Sequence, residues 1–363
     1  MNSRERFLQT INGKIPDHPP VFATLTPQVA KKMSAYLHLP YEEPLDSMLS
    51  TRGSHMGLLT ELGNDAVGIV SCAPDNFPTI TLENGLIENE WGMVFKPLGL
   101  YNEFYIYPLA KAVKKADIEN YRFPDPHAPG RWNEAERTVL KYGKTHGIIA
   151  DLETTIFETA WYLVGLEKFL TDLMLEAEYI HPLLDKIQEI HTYYGKIMIA
   201  MGADVLWCGD DFGTQNSQIM DMETFRRYFK PRYKKMFREF RGVNPNIKLA
   251  WHSCGAFRPF IPEFMEIGLD IVNPIQPMAA DMEPESLKKE FGNEIIFFGG
   301  ICVQDLLPNK SAPEIKNETI RRMKILGNNG RYIVAPAHNI QDDTSIENIL
   351  AFFEATKTKI SGL

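Results

Sequence analysis

The chain has few cysteines and no excess of basic residues. Four cysteines among 363 residues are too few for a disulfide scaffold, so we expect free thiols or metal ligands at Cys72, Cys208, Cys254 and Cys302. The 38 Lys and Arg are outnumbered by 47 Asp and Glu, which gives a net charge of −9. Because an acidic surface repels phosphate backbones and anionic lipids, this balance argues against nucleic-acid and membrane partners.

Long apolar runs are also missing. No stretch approaches the ~20 apolar residues that a membrane-spanning helix needs. Charges begin at Arg4-Glu5-Arg6, which leaves no uncharged segment of the kind found in secretion signals. Repeats and flexible linkers are absent as well. The sequence therefore predicts a cytoplasmic protein whose residues 1–363 form a single domain.

Short apolar segments recur along the chain and are predicted to be strands. They are almost continuously apolar, which is typical of strands covered on both faces. The eight segments span 21–25, 66–70, 147–152, 203–208, 247–252, 270–273, 295–298 and 332–335. Helical patterns lie between most of them, so the predicted fold is α/β, a single (β/α)8 TIM barrel.

The predicted helices include two over 165–201 and two that open with capping boxes, Ser311-Ala-Pro-Glu314 and Thr344-Ser-Ile-Glu347. Residues 76–131 break the strand–helix rhythm. We interpret them as an insertion after the second strand, containing a hairpin, a helix near 110–120 and a proline-rich loop.

Polar residues follow the predicted strands, where barrels of this class carry their chemistry. The most informative pattern is His252-Ser-Cys254, because residues two apart on a strand point to the same side. Zinc accepts histidine nitrogen and cysteine sulfur. The alternative is a buried thiol beside a hydrogen-bonded core histidine.

A third metal ligand would come from another strand end. His338 is the best-placed candidate, and Cys302 competes with it, although Cys302 is equally interpretable as a small buried residue. Three protein ligands with an open fourth position are the pattern of a catalytic zinc site.

Two adjacent carboxylates, Asp210 and Asp211, are predicted catalytic residues. They can act in acid–base chemistry, orient a metal-bound histidine or bind a polar substrate. Only one of them can point into the barrel mouth if the strand geometry continues. The alternative is that one of them caps the following loop, and Glu153 carries the same ambiguity.

Four motifs together resemble the uroporphyrinogen decarboxylase superfamily over nearly the whole chain. They are Gly209-Asp210-Asp211-x-Gly213-x-Gln215, His252-x-Cys254-Gly255, Gly299-Gly300-Ile301 and Ala335-Pro336-x-His338-Asn339-Ile340-Gln341. The decarboxylase branch carries an arginine-rich segment after its first strand, whereas residues 24–28 here contain no arginine. The chain is more similar to the zinc-dependent corrinoid methyltransferases, which include methylcobamide:coenzyme M methyltransferases and O-demethylase methyltransferases.

The resemblance implies a zinc site and a reaction. His252 and Cys254 match the family's ligands, and His338 stands where the family has a later cysteine. Histidine in place of thiolate makes zinc a stronger Lewis acid, which mildly favours activation of a substrate oxygen or nitrogen. The implied reaction moves a methyl group between a small methyl ether or thiol and a corrinoid held by a partner protein. The residues expected to bind the substrate are Glu153, Asn273, Gln276, Cys302 and Gln341.

Two other functions stay open at this point. One is a metal-independent decarboxylase that uses the aspartates, and the other is a non-catalytic barrel that binds a tetrapyrrole or corrinoid. Only the methyltransferase needs His252, Cys254 and His338 to converge. A homodimer through exposed helices is compatible with all three functions.

Overall fold

The computed structural model describes residues 1–47, 51–98, 102–152 and 154–359. Within these residues there are eleven strands. They are β1 (Ala66–Val70), β2 (Ile80–Thr81), β3 (Ile87–Glu88), β4 (Val94–Pro97), β5 (Asn102–Ile106), β6 (Gly147–Asp151), β7 (Val205–Gly209), β8 (Lys248–His252), β9 (Ile271–Ile275), β10 (Ile296–Ile301) and β11 (Tyr332–Pro336).

The same residues form fifteen α-helices. They are α1 (Ser3–Ile11), α2 (Pro27–Tyr36), α3 (Met56–Leu62), α4 (Lys115–Glu119), α5 (Asn133–Tyr142), α6 (Phe157–Val164), α7 (Leu166–Met174), α8 (Ile180–Ala200), α9 (Met222–Thr224), α10 (Lys230–Val243), α11 (Ile261–Glu266), α12 (Pro284–Phe291), α13 (Leu306–Asn309), α14 (Ala312–Leu326) and α15 (Ile346–Thr356). A π-helical turn, Phe225–Phe229, precedes α10, and a 3₁₀ turn, Arg258–Phe260, precedes α11. No helix in these ranges is long and apolar enough to cross a membrane.

Seven strands form one parallel sheet in the order β1-β6-β7-β8-β9-β10-β11. Almost every residue of these strands is buried, because helices cover one face and the strands curl around a core on the other. The result is an α/β, TIM-barrel-like fold. Seven of the eight predicted strand segments correspond to these strands, and the two helices predicted over 165–201 are α7 and α8.

The first predicted strand, residues 21–25, does not form a regular strand. It makes isolated parallel bridges from Val21 to Val334 and from Leu25 to Ile340. Between the bridges, the Asn64 side chain accepts from the Ala23 N–H and donates to the Ala23 carbonyl, both at 2.9 Å. The segment is still hydrogen-bonded to a neighbour on each side. The two bridges join it to β11 and the residues after it, and the Asp65 N–H, just before β1, donates to the Val21 carbonyl at 2.8 Å.

The interior of the curled sheet is apolar and is covered at its amino-terminal end by α1. Phe7 and Ile11 of α1 pack with residues of the strands, including Trp207 and Phe298. Gly147 at the start of β6 allows this packing, since a Cβ there would lie 2.1 Å from the Phe7 ring. The opposite, carboxyl-terminal end of the strands remains for the site.

A second, antiparallel sheet of order β2-β3-β4-β5 lies in the chain between β1 and β6. It has four short strands where the sequence predicted one hairpin, and α4 forms within the predicted helical region. Phe104 of β5 stacks on Tyr162 of α6 with ring centres 4.5 Å apart, which ties this sheet to a helix beside the site. That residues 76–131 are an insertion stays a prediction.

Candidate active site

Three potential metal ligands converge at the carboxyl ends of β7 and β8. His252 is the last residue of β8, and its Nε2 lies 3.5 Å from the Cys254 Sγ. Asp211, two residues beyond β7, places its Oδ1 3.8 Å from the same Nε2. One ligand atom from each of the three residues lies within 4.8 Å of the others.

Asn273 orients the His252 ring. Its side-chain nitrogen donates to the Phe298 carbonyl at 3.2 Å, so its oxygen faces His252 Nδ1 at 2.6 Å. An amide oxygen can only accept, so Nδ1 carries the proton and the Nε2 lone pair points toward Cys254. Asn273 is 3% exposed and lines a small cavity behind the histidine, and its contact with substrate stays a prediction.

Asp211 is tied to the loop that carries the thiol. Its Oδ1 accepts a hydrogen bond from the Cys254 N–H at 2.7 Å, and its own N–H donates to Glu158 Oε2 at 3.1 Å. Asp211 therefore stands beside the His252–Cys254 pair. The sequence predicted Asp211 as a catalytic residue that could also orient a metal-bound histidine, and this role stays a prediction.

Asp210 points away from the site. Its carboxylate, fully buried, accepts hydrogen bonds from the Thr155, Ile156 and Glu158 N–H groups and from the Thr155 and Tyr233 hydroxyls, at 2.5–3.2 Å. These bonds use its acceptor capacity to hold the start of α6. Asp211 takes the mouth side instead, because adjacent residues at a strand end face opposite sides. The catalytic role of Asp210 stays a prediction.

His338 lies across the mouth from His252, with ring centres 6.3 Å apart. Burial, with a smaller contribution from Arg52, lowers the pKa of His338 to about 4. The same causes, with His338 added, hold the pKa of His252 well below its ordinary value. Both rings are therefore neutral at physiological pH, which is the state that binds a metal.

The Cys254 thiol is buried next to negatively charged side chains. Burial, Asp211 and Glu158 raise its pKa well above the ordinary value, and Arg52 opposes them only in part. Without a metal ion, the thiol therefore keeps its proton at neutral pH. A metal ion would supply the positive charge that stabilises the thiolate.

A cavity of about 220 Å³ opens directly on Cys254 and His338. The predicted substrate-binding residues Gln276, Cys302 and Gln341 all line it. Cys302 therefore faces the same space as Cys254, and its sulfur accepts from the Asp305 N–H at 3.4 Å. Glu153 lies outside the described residues.

Two residues near the site were not anticipated from the sequence. Arg52 donates to Asp151 at 2.8 Å, stacks over the Trp207 ring and lines a smaller cavity behind His252. It lies outside the strands, so no strand register pointed to it. Glu158 accepts from the Tyr162 hydroxyl at 2.8 Å, and burial and Asp211 raise its pKa. The only sequence signal was the i, i+4 spacing of Glu158 and Tyr162.

Comparison with known proteins identifies the family of the chain. The family model described as "Uroporphyrinogen decarboxylase (URO-D)" matches residues 106–359, which is more than half of the chain. The chain belongs to the uroporphyrinogen decarboxylase family. The resemblance drawn from the sequence motifs is thereby confirmed.

Two curated relatives in this family differ in their reactions. The chain is 27% identical over 210 residues to a methylated-thiol–coenzyme M methyltransferase from Methanosarcina mazei, covering 58% of this chain and 53% of that protein. It is 26% identical over 188 residues to a uroporphyrinogen decarboxylase from Trichodesmium erythraeum, covering 52% and 49%. The chain thus matches about half the length of each relative.

The likeness in fold to a solved structure extends over nearly the whole chain. A solved methyltransferase from Methanosarcina mazei superimposes with a TM-score of 0.69 and 20% identity, covering 98% of both chains. At 20% identity, this likeness establishes the fold alone.

Proposed function

We propose that this protein is a zinc-dependent methyltransferase that moves a methyl group between a small substrate and a corrinoid held by a partner protein. The observation that carries the proposal is the convergence of His252 Nε2, Cys254 Sγ and Asp211 Oδ1 at the strand ends beside an open cavity. The methyltransferase name of the first curated relative supports the same reaction class. The proposal includes a single uroporphyrinogen-decarboxylase-like barrel over residues 1–363.

The donor set fits zinc. One neutral imidazole and one thiol stand 3.5 Å apart, and the Asn273 bond leaves His252 Nε2 unprotonated toward the thiol. We assign His338 as the third ligand. Its ring centre lies 6.3 Å from that of His252, but it is not among the residues whose ligand atoms lie within 4.8 Å of one another, so zinc binding requires the His338 side chain to move toward the pair. Asp211 then positions the Cys254 loop through its bond to the Cys254 N–H.

Bound at these residues, zinc would act as a Lewis acid that lowers the pKa of a substrate thiol or polarises a substrate ether oxygen. The chain itself supplies the remaining functions. Gln276, Cys302 and Gln341 enclose the substrate next to Cys254 and His338. The cavity lies at the mouth of the barrel, so the corrinoid partner must approach from this end.

The size of the cavity favours a small substrate over a tetrapyrrole. Pockets for drug-sized ligands have volumes of about 300–1,000 Å³, whereas this cavity has about 220 Å³. A polyanionic tetrapyrrole would also need several cationic side chains, and none lines this cavity among the described residues. The decarboxylase and the tetrapyrrole carrier are therefore less favoured.

The test is zinc content combined with methyl transfer. Elemental analysis of the protein after zinc loading should give about one zinc per chain. The zinc should be lost in Cys254→Ala and in His338→Ala, and retained in Cys302→Ala, which removes a thiol from the same cavity. Asp211→Asn should retain the metal.

The activity assay uses free methylcobalamin and a small thiol. The thiol loses its proton, its sulfur forms a bond to the methyl carbon, and the electron pair of the broken cobalt–carbon bond stays on cobalt. The change in cobalamin absorbance should require zinc and should be lost in Cys254→Ala. Absence of zinc under every loading condition would refute the proposal.

A further inference from the structure

The cavity beside Cys254 has no ionised side chain among the described residues of its lining. Its lining within the described chain contains no Lys, Arg, Asp or Glu. The residues are Cys254, Gln276, Cys302, Val303, Gln304, Ala337, His338 and Gln341. The lining thus includes three carboxamides, of which Gln276 lies one residue beyond Ile275, the end of β9.

Gln276 is the carboxamide whose orientation is fixed. The Gly255 N–H donates to its Oε1 at 2.8 Å, one residue after Cys254. Its Nε2 bonds to no other described residue, so the two N–H donors of a half-buried amide remain for a ligand. An amide held by its oxygen presents donors, which select an acceptor atom rather than a cation.

The charges near this cavity oppose an anionic ligand. The carboxylates of Asp211 and Glu158 flank Cys254 on the side of α6. Arg52 lines the smaller cavity behind His252, where it donates to Asp151 at 2.8 Å and stacks over Trp207 at 4.7 Å. The cations of a neighbouring cavity that shares Cys302, which are Lys310, Arg321 and Arg322, lie there together with three carboxylates. Apart from the metal ion, at which the reacting atom binds, an anion in the carboxamide-lined cavity would lose water without gaining a cationic side chain from the lining.

We propose that the substrate is uncharged away from its reacting atom, and that Gln276 Nε2 donates a hydrogen bond to a hydroxyl, ether or carbonyl oxygen of that part. This inference rests on the proposed function, because it takes the reacting atom to lie at Cys254 and His338. It makes Gln276 a residue that determines specificity.

The test measures the binding of small thiols to the cobalt(II)-substituted protein. 2-Mercaptoethanol, 2-mercaptoethanesulfonate and 2-aminoethanethiol share a two-carbon spacer and end in a neutral, an anionic and a cationic group. Ethanethiol lacks the terminal group. Dissociation constants come from the cobalt absorption spectrum and from calorimetry, so no turnover is required. We expect 2-mercaptoethanol to bind at least about 10-fold more tightly than either charged thiol.

The variant Gln276→Leu separates the hydrogen bond from general packing. It should weaken 2-mercaptoethanol about 3- to 10-fold and leave ethanethiol nearly unchanged. Gln9→Leu, in α1 at the other end of the barrel, is the matched control and should change neither thiol. If Gln276→Leu fails to fold, Gln276→Glu serves instead and should shift the preference toward 2-aminoethanethiol.

The outcomes are distinguishable. Preferred binding of 2-mercaptoethanesulfonate, lost in Arg52→Gln, would overturn the inference and assign an anionic substrate to the neighbouring cavity. Preferred binding of 2-aminoethanethiol by the unaltered protein, or equal weakening of ethanethiol and 2-mercaptoethanol in Gln276→Leu, would also overturn it. Absence of cobalt binding in every variant would instead refute the proposed function itself.

Discussion

Asn273 is the residue through which the fold controls His252. Because its oxygen fixes the proton on Nδ1, Asn273→Ala should weaken zinc binding about 10- to 100-fold. Asn273→Asp keeps an acceptor oxygen and should stay close to the unaltered protein. Competition with a zinc-chelating dye measures both affinities, and circular dichroism checks the fold. Equal affinity in Asn273→Ala would show that the ring needs no such support.

The His252–Cys254 pair was predictable from the sequence, whereas its support was not. His252 ends β8 and Cys254 comes two residues later. This spacing alone places the two side chains on the same side, which is a local property of the sequence. Asn273 lies opposite His252 only because β8 and β9 pair in the register His252 to Asn273. Asp210 likewise faces away from the mouth because it accepts hydrogen bonds from the backbone at the start of α6, which lies far from it in the sequence. Spacing predicts candidate ligands, and register decides which residues orient them.

At the scale of elements, Glu263 of α11 joins α10 and the π-helical turn. Its carboxylate accepts hydrogen bonds from Lys230 at 2.7 Å and from Arg226. These hydrogen bonds, above all the one from Arg226, lower the pKa of Glu263 to about 2, although burial acts in the opposite direction. A carboxyl whose pKa is lower in the folded state stabilises the fold above its ordinary pKa of 4.5, and this stabilisation is lost as the pH falls toward 2.

Glu263→Gln should therefore lower the free energy of unfolding by about 1–2 kcal/mol at pH 7, after allowance for the exposed Arg226. The difference between the two proteins should narrow between pH 4.5 and pH 3 in urea titrations. Glu134→Gln breaks an exposed pair with Arg137 and is the control, with an expected change below about 0.5 kcal/mol. A difference that does not depend on pH would assign the effect of Glu263 to packing.

Helix starts show what local sequence predicts about elements. Ser311 and Glu314 form the predicted capping box of α14. At α15 the cap is Ser345 rather than Thr344, and its hydroxyl accepts from the Asn348 N–H. The hydroxyl residues Thr344 and Ser345 are both of a type that caps helices, so the sequence pattern alone did not distinguish them. The four strands of the second sheet were harder to predict, since β2 and β3 have only two residues each.

At the scale of the whole molecule, the α/β barrel-like fold was predictable because buried parallel strands are continuously apolar. Seven segments met that rule and formed regular strands. Residues 21–25 also met it, but Asn64 takes both backbone groups of Ala23, a contact across 41 residues that no local pattern shows. The closure of the barrel therefore depends on side chains as well as on the strand ladder.

Asp65 is the centre of this closure. Its Oδ1 accepts from buried Arg6 at 2.6 Å, its Oδ2 accepts from the Val21 N–H at 2.9 Å, and its carbonyl accepts from the Gly147 N–H at 3.0 Å. One residue thus joins α1, the 21–25 segment and β6. Asp65→Ala leaves the Val21 N–H and part of the Arg6 charge without a partner in the interior.

We expect Asp65→Ala to lower the free energy of unfolding by about 3 kcal/mol, because it breaks a buried ion pair and a buried hydrogen bond together. Asp17→Ala removes the other, more exposed partner of Arg6 and should cost less. Urea unfolding followed by tryptophan fluorescence measures both. Zinc affinity should stay unchanged, since Asp65 lies at the amino-terminal end of the strands and the ligands lie at the opposite end. A smaller loss in Asp65→Ala than in Asp17→Ala would mean that the strand ladder alone closes the barrel.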